Sequence, residues 1–79
     1  MKVTAGDLKA LLRAGNGAQL VMQEGALAVL PAEELPRHEG ALTVIEREAL
    51  RQRVGEEPDD RSLDEQAAIL STEIDTLGA

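Results

Sequence analysis

The only imidazole of this 79-residue chain is His38, set in Leu35-Pro36-Arg37-His38-Glu39-Gly40 with Glu33 and Glu34 just upstream. A histidine among carboxylates could act as a general base or join a weak metal site, because its ring exchanges a proton near neutral pH and ligates metals through nitrogen. The companions that such chemistry needs are missing. There is no cysteine, hence no thiolate ligand and no thiol nucleophile. A structural zinc takes four ligands, commonly including thiolates, so His38 reads as an exposed loop residue. Ser62 stands where a helix N-cap is wanted and Ser71 falls inside a helical pattern, which leaves no hydroxyl held beside a base in the manner of a serine triad. Glu56, Glu57, Asp59, Asp60, Asp64 and Glu65 crowd ten residues and could suggest calcium. An EF-hand loop begun at Asp59 would need glycine where Asp64 stands, so the pattern fails. Carboxylates at a helix start are accounted for by the helix dipole. Gly15-Asn16-Gly17 follows a helical pattern and precedes a strand-like one, the reverse of a phosphate loop, and reads as a turn. No catalytic, cofactor-binding or metal-ligating residue is expected, and the chain reads as non-enzymatic.

Charge narrows the choice of partners. The net charge is −7, from eight bases and fifteen acids. Residues 1–30 carry three bases and two acids, whereas residues 31–79 carry five and thirteen. A duplex-binding surface needs clustered cations, and single strands want aromatic platforms; Phe, Tyr and Trp are all absent. Direct nucleic-acid binding is therefore not expected. The longest apolar run, Ala26 to Leu30, is far short of the roughly 20 residues that span a bilayer. Residues 1–7 lack an apolar signal core, so the expected setting is cytoplasmic. Six Arg against two Lys, with abundant Ala, Gly and Leu, point to a GC-rich bacterial or phage genome.

The elements follow from punctuation and period. Thr4 and Asp7 stand at capping-box spacing, with Val3 and Leu8 at the staple positions. Leu8, Leu11 and Leu12 then share one helical face. This predicts a helix over about residues 5–14, ended by Gly15. Two strand-like runs, 19–23 and 26–30, flank Glu24-Gly25 and predict a hairpin. Glu24 suits a type I′ turn poorly, so a type I turn with a bulge is equally expected. Gly25 to Leu35 aligns with Gly40 to Leu50, with six of eleven residues identical. Both copies read as glycine, buried strand and the opening of a helix. The second predicts a strand at 41–45 and a helix at 46–54, stopped by Gly55, whereas Pro36 curtails the first. After an acidic linker, 56–61, Ser62 and Glu65 form a second capping box opening a helix over 62–77.

Leu63, Ala67, Leu70, Ile74 and Leu77 are spaced 4, 3, 4 and 3. Such a stripe either packs on its own domain or serves as an interface with a partner, and these five are the candidate interface residues. The order α-β-β-β-α-α predicts a small single-domain α+β fold, a three-stranded sheet packed against helices. The expected core is Leu8, Leu11, Leu12, Leu20, Met22, Leu27, Val29, Val44, Leu50, Val54, Leu70, Ile74 and Leu77. A core without rings or disulfides is short of stabilising area below about 80 residues, and self-association is the usual remedy. A homodimer is expected.

Residues 20–35, Leu-Val-Met-Gln-Glu-Gly-Ala-Leu-Ala-Val-Leu-Pro-Ala-Glu-Glu-Leu, resemble Phd/YefM-type antitoxins. In that family a short helix leads into a hairpin of similar form and then an acidic helix start. The resemblance implies a dimerising, operator-binding N-terminal half and a C-terminal segment that wraps a toxin. The family's basic N-terminal surface is reduced here to Lys2, Lys9 and Arg13, and the first helix is shorter, so no binding residue is carried over. Three functions stay open: a small acidic interaction or regulatory module, homodimeric and able to meet a basic protein; an antitoxin; and a phage-type acidic inhibitor or nucleic-acid mimic binding a basic protein surface.

Overall fold

The computed structural model describes residues 2–78, with the side chains of the last two outside the description. It is an α+β unit of the expected order: α1 (Ala5–Arg13), β1 (Gln19–Gln23), β2 (Ala26–Leu30), a 3-10 helix (Ala32–Arg37), β3 (Leu42–Glu46), α2 (Arg47–Val54) and α3 (Asp60–Gly78). The start of α1 matches its signature. The Asp7 N–H donates to Thr4 Oγ1 at 3.2 Å and the Thr4 N–H donates to Asp7 Oδ2 at 2.9 Å. Two otherwise orphaned donors are thereby satisfied, and Val3 and Leu8 are both buried beside the cap.

The sheet runs β2-β1-β3, with both outer strands antiparallel to β1. The two copies of the sequence repeat therefore flank the same central strand. Met22 faces Leu27 on one side and Leu42 on the other, and Val21 likewise faces Ala28 and Thr43. These partners are equivalent positions of the repeat. The equivalence breaks between Leu20 and Val21, where a bulge places Val44 as an extra residue and brings Ile45 opposite Leu20. Leu20 and Ile45 then bury together on the main core face.

That face is covered by helices, with α3 packed chiefly on α1. Val3, Leu8, Leu11, Ala18, Leu20, Ile45, Leu50, Leu63, Ala67, Leu70 and Ile74 form one buried cluster. Leu12, Met22, Leu27, Val29, Val44 and Val54 pack against it while keeping some exposure. Leu77, also an expected core residue, has its side chain outside the described ones. Val21 and Leu30 are buried apart from this cluster. Residues 31–41 pass from one edge of the sheet to the other. His38 fixes the crossing, with Nδ1 3.1 Å from Gln23 Oε1.

One open alternative is resolved and one expectation is corrected. Glu24 and Gly25 both have positive φ, 52° and 78°. The hairpin therefore closes as a type I′ turn without a bulge, because only that hand of turn follows the strand twist across two residues. And α3 begins at Asp60 rather than Ser62. Asp59 is its cap, accepting the Ser62 N–H at Oδ1 over 2.8 Å. Glu65 meets Arg61 one turn back, at 3.4 Å, and takes no part in a capping box.

Left-handed backbone at a residue with a Cβ costs about 1–2 kcal/mol. Glu24→Asn, which tolerates that region, should raise Tm by several degrees; a thermal melt no higher than wild type would contradict the turn assignment. Leu70, 1% exposed, should not tolerate Leu70→Asp, which buries an unpaired carboxylate. The variant is expected to lose the cooperative melting transition in circular dichroism.

Candidate functional site

The five stripe residues of α3 are the first test of an interface. Leu63, Ala67, Leu70 and Ile74 are between 1% and 6% exposed. They face the chain's own core, so this side of the helix is not available to a partner. The physical reason is area. A core built only from aliphatic side chains forfeits roughly 150–250 Å² for every ring it lacks, and the stripe of α3 supplies what closes it. Leu77 lies outside the described side chains.

The polar residues of the same helix divide into two groups. Ser71 is structural. Its hydroxyl donates to Ala67 O at 2.8 Å and accepts the Val3 N–H at 2.8 Å, tying the start of the chain to the last helix. The acids face outward. From residue 56 to residue 75 the chain carries eight acids and one base, Arg61, and every one of these is exposed. The rest of the chain balances, with seven of each sign. The whole net charge is thus borne by the outer side of α3 and the loop leading into it. Several acids have local partners: Lys9 Nζ lies 2.7 Å from Asp60, and Arg51 lies 3.4 Å from Glu56. Exposed pairs of this kind are worth little individually. Amid this charge stands Ile69, 46% exposed, with Glu65 and Glu73 one turn away on either side along the same face. Ile69 is absent from the sequence-derived candidates. Its signal was its position beside Leu70 but off the stripe, as a large apolar residue among acids.

Other candidates for chemistry are not brought together. His38 is half-buried rather than fully exposed, and its ring serves the contact with Gln23, while Glu33, Glu34 and Glu39 are exposed. Among the described residues no group of three or more His, Asp or Glu could hold a metal ion. A groove of about 360 Å³ runs between residues 2–5 and Asp64, Ala67 and Ala68; its lining holds no nucleophile paired with a base. No helix among the described residues is long and apolar enough to cross a membrane.

The Gly15–Gly17 turn is pinned from the first turn of α2. Arg47 Nε donates to Leu12 O at 2.8 Å and Nη1 to Asn16 Oδ1 at 2.9 Å, while the Gly17 N–H donates to Glu48 Oε1 at 3.0 Å. The guanidinium thus neutralises the carbonyl end of α1. No family model, curated protein or solved structure matches the chain.

The Gly17 N–H, aided by Arg47, holds the Glu48 carboxyl below its ordinary value of 4.5. The Ser62 N–H and hydroxyl hold Asp59 below 3.8. Both folded-state values lie under those of the unfolded chain. The stabilisation is therefore complete above the ordinary values and is lost as pH falls through the lowered ones. Glu48→Gln and Asp59→Asn should each melt lower than wild type at pH 7 and lose less Tm on acidification to about pH 2.5. Parallel Tm-against-pH curves for variant and wild type would contradict this.

Proposed function

We propose that this chain is a small non-enzymatic interaction module whose working surface is the outer face of α3, offered to a basic protein. One observation carries the reading: the full net charge of −7 is gathered on one helix and its lead-in loop, around an exposed Ile69. Charge spread for solubility alone has no reason to leave the remaining surface balanced. A concentrated field of one sign steers a partner of the other sign, and an apolar residue inside a charged rim is the usual form of an anchor. The same field repels nucleic acid, so the partner chemistry is that of a cationic protein surface with a small apolar socket.

Affinity capture on the immobilised chain, followed by reconstitution with the purified captured protein, tests the reading. The reconstituted partner is expected to be basic, and its binding to weaken steeply with salt. Combining Glu65→Gln, Glu73→Gln and Ile69→Ser should weaken binding by about tenfold or more and leave the melting curve in place, since none of the three lies in the core. Undiminished binding of the triple variant, or a partner insensitive to salt, would overturn the proposal.

A further inference from the structure

The edges of the sheet are unequal, and the difference lies in the backbone. The edge made by β3 is spoiled for pairing: the bulge at Val44 interrupts its ladder, and Glu46 and Arg47 end it with charge. Bulges and charges are the common means of blunting an edge. The β2 edge has neither. Ala26-Leu27-Ala28-Val29-Leu30 is uncharged and pairs with β1 in unbroken register, and its only proline, Pro31, lies beyond the last residue.

The hairpin turn fixes which backbone groups β2 leaves unpaired. In a two-residue type I′ hairpin the residues next to the turn, here Gln23 and Ala26, form a hydrogen-bonded pair, and the pairs alternate from there. Ala26, Ala28 and Leu30 thus direct their N–H and C=O groups toward β1. Leu27 and Val29 direct theirs outward, away from the sheet. A strand identical to β2, laid antiparallel with Ala28 opposite Ala28, brings Leu27 opposite Val29 on both sides of the centre. The outward groups then meet as hydrogen-bonded pairs, and the central pair is of the non-bonded kind, where Cα atoms approach to about 4.5 Å. Ala28 is exposed and small enough for that approach.

We propose that a second copy of this chain docks on β2, the two strands pairing antiparallel about a two-fold axis at Ala28 to make one six-stranded sheet. The argument is independent of the role given to α3. Charge favours the same choice of surface. Two copies carrying −7 each would repel through α3, whereas β2 is neutral, and the isologous register satisfies both partners with one patch. There is also area to lose. The Cα atoms span 32 × 31 × 17 Å, and the chain exposes 5058 Å² where a compact monomer of its mass exposes roughly 4,600 Å².

Sedimentation of the full chain across micromolar concentrations tests the proposal. Wild type is expected at twice the chain mass of 8.4 kDa, more so at higher salt. Ala28→Lys and Ala28→Glu, each alone, should sediment at the single mass with unchanged far-ultraviolet circular dichroism, and an equimolar mixture of the two should regain the double mass. A single-mass wild type, or an Ala28→Lys variant that stays at the double mass, would overturn it. Amide exchange gives a reading free of substitutions: the Leu27 and Val29 N–H groups should gain protection as wild-type concentration rises, and exchange that ignores concentration counts against the interface.

Discussion

The structure depends on both ends of the chain closing one aliphatic core together. Leu8 and Leu11 of the first helix and Leu63, Leu70 and Ile74 of the last belong to the same buried cluster as Leu20 and Ile45 of the sheet. Without rings, no single element contributes enough area to hold the others. The Ser71 hydroxyl, shared between Ala67 O and the Val3 N–H, marks where the two ends meet and satisfies a backbone donor that the closure would otherwise strand. A three-stranded sheet of five-residue strands is marginal by itself; here it is one layer of a unit whose other layer is α1 and α3.

That constraint also determines where recognition can take place. Because the apolar side of α3 is consumed inside, whatever the helix offers to another molecule must come from its charged side. The carboxylates there are compatible with folding because they remain in water and draw on local donors, as Asp59 does from Ser62 and Asp60 from Lys9. The sheet carries little charge, and β2, at its edge, carries none. The molecule thus keeps its field and its open ladder on different elements.

Much of this was legible in the sequence. The Thr4–Asp7 cap, the hairpin strands at 19–23 and 26–30, and the stop at Gly55 follow from signals that act within a few residues. The repeat correctly announced two similar strand-to-helix units. The choice between Ser62 and Asp59 as a cap was beyond local reading, since each stands three residues ahead of a suitable partner and only the path of the acidic loop decides between them. Of the two turns the sequence left open, the type I′ form is adopted although Glu24 suits it poorly, because that preference is weak beside the twist of the two strands it joins. The resemblance of residues 20–35 to antitoxins rests on those residues alone.

For the candidate surfaces the division is sharper. A period of 4, 3, 4 and 3 establishes that α3 has an apolar side, but the same spacing serves a core and an interface equally, and burial of Leu63, Ala67, Leu70 and Ile74 could be settled only by what packs above them. Composition alone established an acidic chain without cysteine, Phe, Tyr or Trp, and the order of its local signals established the α+β type. The placement of β1 between the two repeat copies, the bulge that sets β3 apart from β2, and the isolation of Ile69 on the outer side of α3 were decided by tertiary structure. Each depends on contacts between residues distant along the chain, and periodicity within one element carries no information about its neighbours.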